Sequence, residues 1–117
     1  MTILLLEDQG IIAFELVDAL ERRGYVTKPF ATVKDAEGWL EQNWPLAAVV
    51  DCILNDGDCS HLVMRLRRGN IPVIVYTGRD PSDLGLAFEG LKIFSKPSSA
   101  DALIRAMEES LDPAKPS

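Results

Sequence analysis

Short aliphatic runs alternate with segments of helical period along this chain. The runs cover residues 2–6, 25–28, 46–50, 71–76 and 91–94. The first, third and fourth are near-continuous aliphatics, without the alternation of a half-exposed strand. Such strands are buried on both faces, as in a parallel sheet covered by helices on each side. Between them lie helix-period stripes. Ala13, Leu16, Val17 and Leu20 form one, with Gly24 as its stop. Thr32 and Asp35 read as a capping box ahead of Val33, Ala36 and Leu40. Cys59, Leu62, Val63 and Leu66 form a third stripe. Ser98 with Asp101 reads as the cap of a last helix carrying Ala100, Leu103, Met107 and Leu111. Residues 79–90 contain Pro81, Gly85 and Gly90, so the fourth helix is expected to be short or irregular. Residues 113–117 read as a flexible tail.

Repeated strand–helix units imply an α/β fold with an open, doubly wound sheet. One domain over residues 1–112 accommodates it, because 117 residues are the size of a single domain. In such sheets the site lies beyond the carboxyl ends of the strands. The polar residues that end the strands are therefore the candidates for function.

The first run ends in Glu7-Asp8 and the third in Asp51. The fourth ends in Thr77, and the fifth is followed by Lys96-Pro97. Three carboxylates, a hydroxyl and an ammonium are thus expected at one edge. Close carboxylates repel, and a divalent cation relieves the conflict. Oxygen-only ligands favour Mg²⁺, which pairs naturally with phosphate. Lys96 supplies a point charge for an oxyanion and Thr77 a donor. This set suits phosphoryl transfer onto Asp51 as nucleophile.

Composition narrows the class. With 12 Lys+Arg against 18 Asp+Glu, the formal charge is −6. That balance argues against a nucleic-acid module, which carries a basic patch. The N-terminal run has no basic flank, so neither a signal peptide nor a membrane span is expected. Two cysteines, Cys52 and Cys59, are too few for a disulfide scaffold and read as free thiols in a reducing cytoplasm. A metal site from Cys52, Cys59 and His61 lacks the paired spacing of zinc ligands. His61 reads as a surface residue, Arg67 and Arg68 as complements to a helix C-terminus, and Trp39 and Trp44 as packing residues.

The acidic pair Glu7-Asp8, Asp51, Thr77 and Lys96-Pro97, in this order and spacing, resemble the response-regulator receiver domain over nearly the whole chain. The resemblance implies a CheY-like, flavodoxin-like sheet of order 2-1-3-4-5. It implies Asp51 as phosphoacceptor, with Mg²⁺ held at Asp8, Asp51 and the backbone carbonyl of Ile53, and Glu7 acting partly through water. Thr77 would be the switch hydroxyl and Lys96 the phosphate contact. A cis bond at Lys96-Pro97 is usual in the family. The donor would be a histidine kinase or a histidine phosphotransfer protein. The run Ile71-Pro-Val-Ile-Val-Tyr-Thr-Gly78 also resembles the receivers with a Phe-Ala-Thr-Gly-Tyr-like motif, associated with HWE-type kinases. Arg79 replaces the final Tyr of that motif.

Two positions depart from the wider pattern. Ile93 stands where most receivers have an aromatic three residues before the lysine. Asn55 stands where many have a proline four residues after the phosphoacceptor. On a helical wheel, Ile11 and Phe14 fall opposite the Leu16/Leu20 stripe and beside Asp8, which suggests a docking surface for the phosphodonor. Action through protein contacts is expected, as a monomer or weak homodimer, with no nucleic-acid or membrane partner. Two other classes compete: a Mg²⁺-dependent phosphatase with an aspartate nucleophile, and a non-phosphorylated binding module of the same fold. The phosphatase lacks its acid/base carboxylate, since Ile53 stands two residues after Asp51.

Overall fold

A computed structural model describes residues 2–111 of the chain. The expected tail at 113–117 lies outside the described residues. Five parallel strands form one sheet: β1 (Thr2–Leu6), β2 (Val26–Phe30), β3 (Ala47–Val50), β6 (Val73–Thr77) and β7 (Lys92–Ser95). Their order is β2-β1-β3-β6-β7. This is the expected 2-1-3-4-5 arrangement. The numbers shift only because a small antiparallel hairpin, β4 (Ile53–Leu54) and β5 (Gly57–Asp58), intervenes in the chain. That hairpin was not expected, because two-residue strands are too short to show a period.

Four α-helices cover the sheet: α1 (Gly10–Arg22), α2 (Val33–Leu40), α3 (Ser60–Arg68) and α4 (Ala100–Leu111). Alternate residues of each central strand feed two cores. Leu4, Leu6, Ala48, Val50, Val73 and Val75 pack with α2 and α3, through Ala36, Leu40, Leu62, Val63 and Leu66. Ile3, Leu5, Ala47, Val49, Ile74 and Tyr76 pack with α1 and α4, through Leu16, Leu20, Leu103, Ile104 and Met107. Each fully buried Leu contributes roughly 1.5–3 kcal/mol through the apolar surface it withdraws from water. The aliphatic runs are continuous because both faces are filled.

Helix ends follow local chemistry. Gly24 closes α1 with φ +91°, and Tyr25 N donates to Leu20 O across it. Thr32 caps α2 by accepting from Asp35 N at 3.2 Å. The cap of α4 is a correction. Ser99, not Ser98, accepts from Ala102 N at 3.1 Å. Ser98 is held elsewhere, its N–H donating to the Tyr76 hydroxyl and its own hydroxyl to Ser95 O.

β2 runs two residues past its expected end and includes Pro29. It lies at the sheet edge, where a missing N–H is tolerated. The segment after β6 holds no α-helix. Two 3₁₀ turns, Pro81–Asp83 and Leu86–Phe88, replace it. Ala87 and Phe88 still fill the core that a helix would have covered, at 8% and 3% exposure. Arg67 does more than complement the end of α3: its Nη1 donates to Ala87 O at 2.9 Å and ties this segment down. Trp39 packs on the core beside Phe30. Trp44 is 55% exposed, so it packs only partly; its indole lies over Gly69, where a Cβ would overlap Cζ2 of the ring.

Candidate functional site

The carboxyl ends of β1, β3 and β6 meet at one edge, with the loop after β7 closing over them. Glu7 and Asp8 follow β1, and Asp51 follows β3, its N–H donating to Leu6 O at 2.9 Å. Carboxylate oxygens of Glu7, Asp8 and Asp51 lie within 4.8 Å of one another. Lys96 Nζ reaches Glu7 Oε1 at 2.8 Å and Asp51 Oδ2 at 2.9 Å. Glu7 Oε2 accepts from Gln9 N at 3.1 Å, which turns the chain toward α1. The structure thus brings together four of the five residues that the strand ends single out.

Electrostatics shape this cluster. Burial pushes the Lys96 ammonium toward losing its proton. Hydrogen bonds to Glu7 and Asp51 outweigh that and hold its pKa above the ordinary 10.5. Three carboxylates face one ammonium, so the cluster is two positive charges short of balance. Hard oxygen donors with that shortfall suit a hard divalent cation such as Mg²⁺. The Lys96-Pro97 bond is cis, as the resemblance implies.

Thr77 is fully buried on the α2/α3 side of the sheet. Its Oγ1 accepts from Arg79 N at 3.1 Å and meets the Cys52 thiol; among the described residues no hydrogen bond joins it to the acids. Ile53 begins the hairpin two residues after Asp51, its side chain 40% exposed. Ile11 and Phe14 stand out from α1 at 78% and 70% exposure. Ile93 packs against the α2/α3 core. His61 is a surface residue, its Nδ1 lying 3.5 Å from Glu37, away from the buried thiols. Cys52 and Cys59 are both free.

Sequence reasoning missed three supports of the site. Cys59 Sγ donates to Asp51 O at 2.8 Å, and Cys59 N to Cys52 O at 3.0 Å. Burial pushes both thiols upward; Cys59 serves as a donor to the Asp51 backbone, and both fill the core as small residues. Asp56, at the hairpin tip, accepts from Val33 N at 2.8 Å and Lys34 N at 3.0 Å. It clamps the loop after Asp51 onto the start of α2, in the absence of the proline at Asn55. Tyr76 holds the loop that carries Lys96.

Known proteins resemble this chain in sequence or in fold. RegA, the photosynthetic apparatus regulatory protein of Cereibacter sphaeroides, is 30% identical over 96% of this chain and 65% of its own. RegA of Rhodobacter capsulatus is 28% identical over 91% of this chain and 60% of its own. The chain therefore spans less than two thirds of the length of these relatives. A CheY-like receiver domain from Methanospirillum hungatei superposes with a TM-score of 0.85 at 23% identity, covering 95% of this chain and 93% of that one. A Burkholderia pseudomallei response regulator, solved with a phosphorylated aspartic acid and a calcium ion, gives 0.80 at 22% identity, over 91% of this chain and 65% of that one. The family model for the response regulator receiver domain matches residues 3–108. With that match and the acidic cluster at its strand ends, the chain belongs to the response regulator receiver domain family of two-component systems.

Proposed function

We propose that Asp51 accepts a phosphoryl group from the phosphohistidine of a histidine kinase or phosphotransfer protein. The convergence of Lys96 on Glu7 and Asp51 beside Asp8 carries this reading. An Asp51 carboxylate oxygen attacks phosphorus. The phosphorus–nitrogen bond breaks, and the imidazole leaves with its electron pair. Lys96 is placed to follow the transferred oxygens, and Thr77 to turn its hydroxyl from Cys52 toward them. Glu7, Asp8, Asp51 and the Ile53 carbonyl would hold Mg²⁺, which when bound supplies positive charge for the carboxylates and phosphoryl oxygens.

Family members act as signalling modules, and this domain relays or switches through contacts, assisting only its own phosphorylation and dephosphorylation. Residues 79–90 carry the change, because they are built from two 3₁₀ turns and Ile93 offers no aromatic gate. Ile11 and Phe14 form part of the docking surface for the donor, supported by their exposure beside Asp8. The Thr77-Gly78 run and the missing helix favour an HWE-type kinase as partner, in the cytoplasm.

The test is incubation with Mg²⁺ and a small phosphodonor, read by mass spectrometry. The wild type gains one phosphoryl group and Asp51→Asn gains none. No gain, or a gain that persists in Asp51→Asn, defeats the proposal. For docking, Ile11→Asp should slow transfer from the cognate donor while leaving the small-donor rate alone; an unchanged cognate rate removes Ile11 from that surface.

A further inference from the structure

Lys96 sits on a loop, and a lysine on four methylenes does not place its own charge. Its backbone is fixed on one side, Lys96 N donating to Thr77 O at 2.8 Å. The other side is fixed by Tyr76. The Tyr76 hydroxyl accepts from Ser98 N at 3.0 Å and donates to Ser98 O at 3.2 Å. One phenol therefore satisfies both backbone groups of the residue two beyond Lys96. The Lys96 ammonium also stands 5.6 Å from the centre of the same ring, within cation–π range. Tyr76 is itself packed in place: it is 6% exposed in the α1/α4 core and pairs across the strands with Phe94.

Resting on the phosphoacceptor reading of Asp51, we propose that Tyr76 is the positioning residue for Lys96. It holds the loop after β7 by its hydroxyl and the ammonium over its ring. Tyr76 and Thr77 are consecutive in β6 and face opposite sides of the sheet. One strand end therefore presents the switch hydroxyl on one side and the lysine's support on the other. The aromatic side chain at this site belongs to β6, on the α1/α4 side, whereas Ile93 of β7 faces the α2/α3 core.

The experiment compares wild type, Tyr76→Phe, Lys96→Ala and the double variant with acetyl phosphate at saturating Mg²⁺. Tyr76→Phe keeps the ring and its packing and loses only the latch. Its phosphorylation rate should fall about tenfold, the value of one buried hydrogen-bonding group. Mg²⁺ affinity by NMR titration should not weaken, because no acid has moved and a looser Lys96 competes less for them. In the Lys96→Ala background the same change should alter the rate by less than about twofold, since its target is gone. The Lys96 ammonium signal, recorded without phosphodonor, should exchange with water faster in Tyr76→Phe. Should that variant not fold, Ser98→Pro removes the amide donor from the other end and should be slower than Ser98→Ala, which loses only the hydroxyl bonded to Ser95 O. Equal slowing in both backgrounds, or an unchanged rate and ammonium signal in Tyr76→Phe, overturns the inference. A wild type that takes no phosphoryl group overturns the phosphoacceptor reading itself, and this inference with it.

Discussion

Removing the Lys96 ammonium tests the electrostatics of the site without any phosphodonor. In the metal-free protein Nζ pairs with both Glu7 at 2.8 Å and Asp51 at 2.9 Å and offsets part of their charge. Their side chains are only 2% and 11% exposed, so water cannot replace it well. Breaking a buried pair by deleting one partner costs about 3–5 kcal/mol. The Lys96 side chain is 15% exposed, which admits some solvent and places the expected loss for Lys96→Ala near the lower end, about 3 kcal/mol. Mg²⁺ at about a hundredfold excess over its dissociation constant returns about 2.7 kcal/mol to any protein that binds it only when folded. Without a competing ammonium the acids should also bind it more tightly. The assay is urea denaturation of both proteins in chelator and in Mg²⁺. The gap between them should be wide in chelator and narrow in Mg²⁺. A loss below about 1 kcal/mol in chelator, or equal stabilisation of both proteins by Mg²⁺, refutes the reasoning. The pH dependence has a definite sign. The folded pKa of Lys96 is raised, so its contribution is complete below 10.5 and is lost as pH rises through the folded value. The gap should therefore hold constant across neutral pH and close only in strong alkali.

Asp56→Ala removes the acceptor for Val33 N and Lys34 N. Those amides and the β4–β5 hairpin should exchange faster with deuterium, and Mg²⁺ affinity should fall; unchanged exchange would dissociate Asp56 from the loop. Hydrogen bonds from the Lys34 and Val33 N–H groups lower the Asp56 pKa, so the wild-type clamp should persist above 3.8 and release as pH falls through the lowered value. Cys59→Ala loses the donor to the Asp51 carbonyl in a fully buried position and should cost about 1–3 kcal/mol by urea denaturation. An unperturbed Asp51 amide shift in that variant would deny the thiol a part in holding the phosphoacceptor. Gly69→Ala places a methyl where the Trp44 ring lies and should shift tryptophan fluorescence, with a stability change under about 1 kcal/mol because the half-exposed ring can swing away.

By itself the sequence determined the sheet and which acids and lysine gather at its edge. Filling both faces of a parallel sheet demands continuous aliphatics, so β1, β3 and β6 were legible within one or two residues. The chain can place Glu7, Asp8, Asp51 and Lys96 together only if strand ends converge, which a doubly wound sheet ensures. The failed helix at 79–90 was legible because proline and glycine act locally. Tertiary structure alone decided the supports. Tyr76 and Ser98 are 22 residues apart, and Asp56 and Val33 are 23 apart. Neither contact leaves a local pattern, because a hydrogen bond across that separation has no period to show. The α4 cap was misplaced by one residue for the same reason: Ser98 and Ser99 are locally equivalent, and the distant Tyr76 hydroxyl holds one and leaves the other to cap the helix.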